Sequence, residues 1–259
     1  MTTGSPTRFE VCVDSAVGAR TAQDAGAHRV ELCSALFEGG VTPSAGLVET
    51  ALQAAPGIDV YVLIRPRGGD FIYDAYETRA MVRDIETAVG LGVHGVVIGA
   101  LTDRGDVDAA LLRQLTGAAA GLPVTFHRAF DMARDQFDAL ETLIALGVDR
   151  VLSSGAESTA LEGAPRLAEL VEAAAGRTVI MPGGGINARN AARILRITGA
   201  AELHFSASAG IDSPARHRNT RPAMGGSLRN DEFRRRVTDR AAIEAIRSAA
   251  APGADRARP

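Results

Sequence analysis

Residues 125–131 read Thr-Phe-His-Arg-Ala-Phe-Asp and place three chemically active side chains, His127, Arg128 and Asp131, within five positions. The stretch follows Gly-Leu-Pro-Val, which is typical of a turn that leads into a strand. A buried strand normally excludes such residues, because a charge taken out of water must be paired or must bind something. The stretch therefore predicts a strand that ends in a pocket, where an imidazole can transfer protons and a guanidinium can hold an anion.

Other predicted strands also end in polar residues, several of them two positions apart and therefore on one face of the strand. In a parallel α/β barrel the carboxyl ends of the strands carry the chemistry, so we expect these side chains at one rim. Glu31 or His127 would act as general base, and Arg65, Arg67 and Arg128 would clamp an anion. A buried salt-bridge network that closes the rim is the structural alternative. The strand-end residues are Cys12, Asp14, Glu31, Cys33, Arg65, Arg67, His127, Arg128, Ser153, Ser154, His204 and Ser206, of which His204 and Ser206 are further candidates for anion binding.

Three consecutive glycines, Gly183, Gly184 and Gly185, lie between the seventh predicted strand and the next helix. Glycines let backbone N–H groups approach an anion at a helix N-terminus. In barrels the phosphate site often follows strands seven and eight. The position predicts a phosphate cradle, and a tight turn that needs positive φ is the alternative.

Cys12 and Cys33 fall at similar depths on neighbouring predicted strands. Two thiolates suit soft metals, Cu(I) above all. The alternative is that both are small buried hydrophobic residues, which is how free cysteine usually behaves. Two cysteines form no disulfide framework, which agrees with a reducing compartment.

The composition excludes several classes of protein. All 28 basic residues are arginine, so Schiff-base catalysis through a lysine amine, on which many barrel aldolases depend, is excluded. A formal charge of −3 gives no general attraction to nucleic acid or to an anionic membrane. No run reaches the roughly 18 apolar residues of a membrane helix. The polar stretch 1–7 lacks the apolar core of a signal peptide, so we expect a flexible arm there and a cytoplasmic protein.

Eight short apolar segments alternate with helical segments, several of which end at glycine. This alternation is typical of a parallel α/β fold. Eight strand–helix units need about 250 residues, which favours a single (β/α)8 TIM-like barrel over an open doubly wound sheet. We expect one domain over 1–259 with a flexible tail at 251–259. The Gly-bearing segment 34–45 is predicted to form a pocket wall, segment 207–230 a loop, and segment 231–236 a short turn of helix.

The motifs that carry these residues resemble the copper homeostasis protein CutC family over nearly the whole chain, from about position 9 to position 249. They read EVCVDS from position 10, RVELCS from 29, EGGVTPS from 38, IRPRGGDF from 64, PVTFHRAFD from 123 and MPGGGI from 181. The resemblance implies a TIM-like barrel and cytoplasmic copper handling, with Cu(I) bound by Cys12 and Cys33. It also implies a homodimer or a larger homo-oligomer.

Three functions stay open at this point. The first is Cu(I) binding by the two cysteines, with weak or no binding of Zn²⁺, because two soft donors do not make a full tetrahedral set. The second is an enzyme that acts on a small phosphorylated or carboxylated metabolite, because the expected rim is mostly Arg, His and Glu. The third is a non-catalytic scaffold that binds a partner through segment 208–230.

Overall fold

The centre of the computed structural model, which describes residues 7–222, 224 and 231–251, is an eight-stranded parallel sheet. Its strands are β1 (Arg8–Val13), β2 (Arg29–Leu32), β3 (Asp59–Leu63), β4 (Gly95–Ile98), β5 (Val124–Phe126), β6 (Arg150–Ser153), β7 (Val179–Pro182) and β8 (Glu202–Phe205). The strands follow one another in chain order, and β8 pairs with β1. A parallel bridge between Gly183 and His204 joins the last two strands, so the sheet forms the predicted, nearly closed (β/α)8 barrel.

Helices alternate with these strands along the chain. The long helix α3 shows how the sequence sets their ends: Asp74 and Glu77 form a capping box at its start, and Gly92 ends it with a left-handed φ of 85°. The helices are α1 (Ala16–Asp24), α2 (Ala45–Ala54), α3 (Ala75–Leu91), α4 (Ala109–Ala118), α5 (Gln136–Ala145), α6 (Ala164–Ala174), α7 (Ala191–Thr198) and α8 (Arg240–Ala249), with 3₁₀ turns at Leu36–Glu38 and Arg128–Met132. None of the helices in the described part of the chain is long and apolar enough to cross a membrane.

Side chains alternate along each strand between the surrounding helices and the barrel interior. The outward residues of the first strands, such as Val11, Val30 and Val62, belong to the large core shared with the helices. The inward residues form a smaller cluster of their own, which includes Cys12 and Tyr61. The barrel interior is therefore separated from the main core, and polar residues can line it without disturbing the packing of the helices.

The segment after β8 differs from the prediction. Strands β9 (Ser208–Asp212) and β10 (Arg234–Thr238) form an antiparallel hairpin, so the helical turn predicted over 231–236 is wrong. Neither strand is apolar enough to show the alternation of a half-buried strand, and their backbone groups are satisfied by pairing with each other. Residues 223 and 225–230 of this segment lie outside the described residues. The predicted flexible arm and tail also lie there, except for residues 7 and 251.

Candidate functional site

A cavity of about 130 Å³ opens at the carboxyl ends of the barrel strands; we call it the barrel-mouth cavity. Because the carboxyl ends of parallel strands meet at one rim, it gathers side chains that are far apart in the sequence. Glu31, Arg65 and His127, which the sequence predicted for one rim, all line it. The full lining consists of Cys12, Glu31, Gly39, Leu63, Arg65, Phe71, His127, Arg128, Leu152 and His204.

A set of buried charged residues lies one pleat below the cavity; we call it the buried ionic layer, and it consists of Glu10, Arg29, Arg150 and Glu202. Each member is two residues before a cavity-lining residue on its own strand. Arg29 forms ion pairs with Glu10 and, at 2.6 Å, with Glu202, which also accepts a 2.7 Å hydrogen bond from Arg150. Two cations and two anions balance, so this layer holds the strands together without needing a ligand. A pocket and a salt-bridge network are therefore both present, but the network lies below the cavity and does not close the rim, as the structural alternative expected.

His204 links the two depths. Its Nδ1 lies 2.7 Å from Glu10 Oε1, and its Nε2 lies 3.7 Å from Glu31 Oε2. Burial lowers the pKa of His204, but the hydrogen bond to Glu10 and the charge of Glu31 outweigh burial and raise the pKa above its usual value. Glu10 fixes the orientation of the ring, a positioning role that the sequence did not reveal. A carboxylate behind a histidine that directs the other ring nitrogen outward is the arrangement found in many metal sites.

Glu31 is buried at the cavity wall beside His204 and Cys12. Burial raises the pKa of the Glu31 carboxyl above its usual value, although the charge of His204 acts in the opposite direction. One ligand atom each of Cys12, Glu31 and His204 lies within 4.8 Å of the others, a grouping that can hold a metal ion.

The two cysteines lie side by side, as predicted from their neighbouring strands. Their Sγ atoms are 3.7 Å apart; Cys12 lines the cavity, and Cys33 is fully buried with its Sγ 3.6 Å from the carbonyl oxygen of Val13. The hydrogen bond between the thiols, burial, and the nearby Glu31 raise the pKa of Cys12 well above its usual value. The thiol of Cys12 is therefore protonated when no metal is bound, and a metal ion must displace its proton.

Another part of the cavity lining carries cations. Arg65 is buried, and its Nη atoms donate hydrogen bonds of 2.8–3.0 Å to the carbonyl oxygens of Glu38, Gly40 and Gly69. These bonds hold the predicted pocket wall 34–45 against the barrel. The Nε of Arg65 is buried and has no hydrogen-bond partner in the described part of the chain, and the guanidinium lies over the ring of Phe71.

His127 stands beside Arg65, with its ring packed against Phe71 at 5.0 Å between centroids and against Gly99, where any β-carbon would overlap the imidazole. Its Nδ1 accepts a 3.1 Å hydrogen bond from the N–H of Ala129 and so caps the 3₁₀ turn. Burial, and then the charge of Arg65, lower the pKa of His127 to about 3. The ring is therefore neutral with its proton on Nε2, and this buried N–H meets no acceptor among the described ranges 7–222, 224 and 231–251.

The remaining predicted anion ligands are placed differently. Arg128 lines the cavity, but its charge is paired with Asp131 through a 2.8 Å hydrogen bond, and its Nη2 donates to Ser154 Oγ at 2.6 Å. Arg67 does not line the cavity, because its guanidinium is held by Glu77 on α3. Ser206 is exposed and also lies outside the lining.

Some backbone groups of the predicted glycine cradle already form hydrogen bonds within the protein. The N–H of Gly183 donates a 2.9 Å hydrogen bond to the carbonyl oxygen of Ser153, and the carbonyl oxygen of Gly184 accepts one from Ala160. Gly184 and Gly185 have positive φ angles of 106° and 71°, so the tight turn offered as the alternative to a cradle is present. Gly184 lies close to the guanidinium of Arg128.

Sequence reasoning missed the apolar part of the lining. Leu63, Phe71 and Leu152 line the cavity, although in the sequence they look like ordinary core residues. The available signal was the period of two: Leu63 precedes Arg65 by two positions on its strand, so its side chain shares the inward face.

The chain matches known proteins along most of its length. The model of the CutC family matches residues 7–209. A mouse protein and a human protein, each named copper homeostasis protein cutC homolog, are 50% and 51% identical over 231 residues, which is 89% of this chain and 85% and 84% of those proteins. A family protein CutC from Parabacteroides distasonis is 49% identical over 92% of this chain and 98% of its own.

Solved structures agree on the architecture. A crystal structure of CutC from Streptococcus agalactiae matches with a TM-score of 0.75 and 38% identity, covering 77% of this chain and 98% of that one. An aldolase called QR15 shares the fold alone, with a TM-score of 0.59 and 17% identity over 77% of this chain and 89% of that one. The family match and the identities over most of the chain place the protein in the CutC family, whose relatives are named for copper homeostasis.

Proposed function

We propose that this protein serves copper homeostasis in the cytoplasm by binding Cu(I) through the thiolates of Cys12 and Cys33. The observation that carries the proposal is the 3.7 Å approach of the two Sγ atoms beside the barrel-mouth cavity. Thiolates are the ligands that Cu(I) prefers. The names of the mouse and human relatives support the same metal.

Two further side chains beside Cys12, those of Glu31 and His204, can also bind a metal ion. Glu10 orients His204 so that Nε2 faces Glu31 and Cys12, which offers an imidazole nitrogen near the first thiolate. Binding of a cation here would also offset the negative charge of Glu31. An ion in the cavity can reach Cys12, which lines it. The buried thiol of Cys33, 3.7 Å from that of Cys12, then supplies the second sulfur ligand.

Zn²⁺ is the metal against which Cu(I) must be tested. The group of Cys12, Glu31 and His204 offers sulfur, oxygen and nitrogen atoms, all of which Zn²⁺ accepts. The second thiolate, Cys33, distinguishes the two ions, because it adds a soft donor that favours Cu(I). We therefore expect Zn²⁺ to bind weakly and to leave bound Cu(I) in place.

The test is an anaerobic titration of the reduced protein with Cu(I) in the presence of a chromogenic Cu(I) chelator. We expect about one Cu(I) per chain in the wild type, and competition with the chelator to be lost in Cys12→Ser, Cys33→Ser and the double variant. Met181→Leu is the matched control: its thioether lies 3.4 Å from Arg29 inside the barrel, away from the cavity, so losing it should not change Cu(I) binding. Equal stoichiometry and affinity in the double variant and the wild type would refute the cysteine site.

A further inference from the structure

Two buried N–H groups that line the barrel-mouth cavity have no hydrogen-bond partner among the residues that the structure describes. They are Nε of Arg65 and Nε2 of His127, and both side chains are more than nine-tenths buried, with exposures of 7% and 5%. A buried donor without an acceptor costs about 1–3 kcal/mol, so such donors usually meet a ligand or an ordered water. Both side chains pack against the ring of Phe71, which keeps the two donors on the same side of the cavity.

The charge of Arg65 strengthens the case for an anion. Among the described residues no carboxylate lies within 4.0 Å of its guanidinium, and its protein partners are three backbone carbonyl oxygens. The other cations around the cavity are neutralised: Arg29 and Arg150 by the buried ionic layer, and Arg128 by Asp131. A buried cation without a counter-charge is costly, and an anionic ligand would remove that cost.

The size and shape of the cavity limit the anion to a small one. A volume of about 130 Å³ is comparable to the roughly 150 Å³ cavity that holds one benzene, so the ligand has about six non-hydrogen atoms. Leu63, Phe71 and Leu152 give part of the lining an apolar character suited to a short carbon chain. Glu31 and His204 also line the cavity, where a hydroxyl or carbonyl group of the ligand would meet them.

The free donors suit a carboxylate better than a phosphate. In Arg65 both Nη atoms already donate to backbone carbonyl oxygens, Nε is the guanidinium nitrogen without a partner among the described residues, and His127 adds a second such N–H. Two donors match the two oxygens of a planar carboxylate. A phosphate dianion would need more donors, and the N–H of Gly183, one of the three predicted cradle amides, is already bonded to the carbonyl oxygen of Ser153.

We propose that the barrel-mouth cavity binds a short hydroxy- or oxo-carboxylate, with its carboxylate on Arg65 Nε and His127 Nε2 and its carbon chain against Phe71. The site uses Arg65, His127 and Phe71, none of which is a proposed Cu(I) ligand, and goes beyond the proposed Cu(I) binding. It does not depend on that function.

The test is isothermal titration calorimetry of the metal-free, reduced protein at constant ionic strength. Lactate and pyruvate serve as the probes, with lactamide as the uncharged analogue and inorganic phosphate as the tetrahedral anion. We expect lactate or pyruvate to bind, and lactamide and phosphate to bind at least about tenfold more weakly, because one hydrogen bond to a charged group is worth about that much.

The variants separate this site from a general effect of charge. His127→Asn keeps a cap acceptor for Ala129 but removes the Nε2 donor, and Arg65→Lys keeps a cation but removes Nε; each should weaken carboxylate binding about tenfold or more. Arg134→Ala is the control, since it removes an exposed cation that pairs with Asp106 and should leave the affinity unchanged. Binding should also persist in the double cysteine variant, which keeps this result independent of copper.

Three results would overturn the carboxylate site. One is the absence of binding of either acid to the wild type. The second is equal affinity in His127→Asn and Arg134→Ala. The third is equal binding of lactate and lactamide, because the anionic oxygens would then contribute nothing and the two donors would be held by water alone.

Discussion

His127 is a neutral hydrogen-bond donor in this structure. Its Nδ1 lone pair is occupied by the N–H of Ala129, and burial and then Arg65 lower its pKa to about 3, so a proton stays on Nε2 at neutral pH. This pattern does not favour the general-base role that the sequence suggested for His127. Glu31, whose pKa is raised mainly by burial, is the better candidate for proton transfer in this cavity.

The lowered pKa of His127 predicts a dependence of stability on pH. The unfolded chain takes up a proton at this position near pH 6.5, whereas the folded chain does so only near pH 3. Between these values the unfolded state binds more protons, so this residue's contribution to the free energy of unfolding falls as the pH is lowered. The fall is at most about 1.4 kcal/mol per pH unit, or about 2 kcal/mol between pH 7 and pH 5.

Urea unfolding at pH 5 to 7 of the wild type and of His127→Asn measures this contribution. Asparagine can cap the 3₁₀ turn but does not titrate, so the variant should lose less stability as the pH falls. His204, whose raised pKa acts in the opposite direction, is present in both proteins and cancels in the comparison. Parallel pH profiles for the two proteins would contradict the lowered pKa.

At the scale of single residues, the sequence predicted side-chain types better than partners. Cys12, Glu31 and His204 were identified because polar residues at strand ends are rare enough to notice, and they meet in the cavity. The isolation of Arg67 from the cavity was not predictable, because its partner Glu77 belongs to a helix whose position over the barrel rim depends on tertiary packing. The uncompensated charge of Arg65 likewise appears only once every neighbour is in place.

At the scale of elements, the buried ionic layer ties together strands from distant parts of the chain. Glu202 on β8 accepts hydrogen bonds from Arg29 on β2 and Arg150 on β6, and Arg29 also pairs with Glu10 on β1. Both arginines lie over the ring of Tyr61 on β3, at 4.9 and 5.8 Å from its centre. The buried ionic layer thus holds in place the strands that carry the cavity-lining residues.

Glu202→Gln should be strongly destabilising, because it removes one of two anions that neutralise two buried cations. The loss of one partner from a buried ion pair typically costs about 3–5 kcal/mol. Glu141→Gln is the matched control, since Glu141 pairs with Arg177 on the surface, where an ion pair is worth about 0–1 kcal/mol. Chemical denaturation gives both values, and a loss in Glu202→Gln no larger than in Glu141→Gln would show that the layer does not hold the strands.

The barrel elements were predictable from the sequence because each one obeys a local rule. Eight apolar runs indicated the eight barrel strands, although the strand predicted over residues 125–131 ends at Phe126, where a 3₁₀ turn follows. The hairpin of β9 and β10 was missed because its strands are rich in arginine or exposed, and their pairing crosses a long intervening segment. Strands without an apolar face leave no periodic signal.

At the scale of the whole molecule, the shortest strand ladder of the barrel lies between its seventh and eighth strands. The contact there is the bridge between Gly183 and His204, whereas β1 and β2 pair over four positions. A β-carbon at Gly183 would overlap Leu152 Cδ1 and lie 3.3 Å from the side chain of His204. Gly183 therefore lies at the bridge that closes the barrel and in contact with Leu152 and His204, which line the cavity.

Gly183→Ala should therefore loosen this seam and displace Leu152, which lines the cavity. Overpacking of this kind costs about 1–3 kcal/mol. In hydrogen–deuterium exchange, peptides of β7 and β8 should already exchange faster than those of β1 and β2 in the wild type, and faster still in the variant.

Gly117→Ala on α4, where no atom lies within 4 Å of the new β-carbon, should leave the seam unchanged and stabilise the helix by about 0.5–1 kcal/mol. Unaltered exchange of β7 and β8 in Gly183→Ala would mean that the barrel closes through more than this bridge.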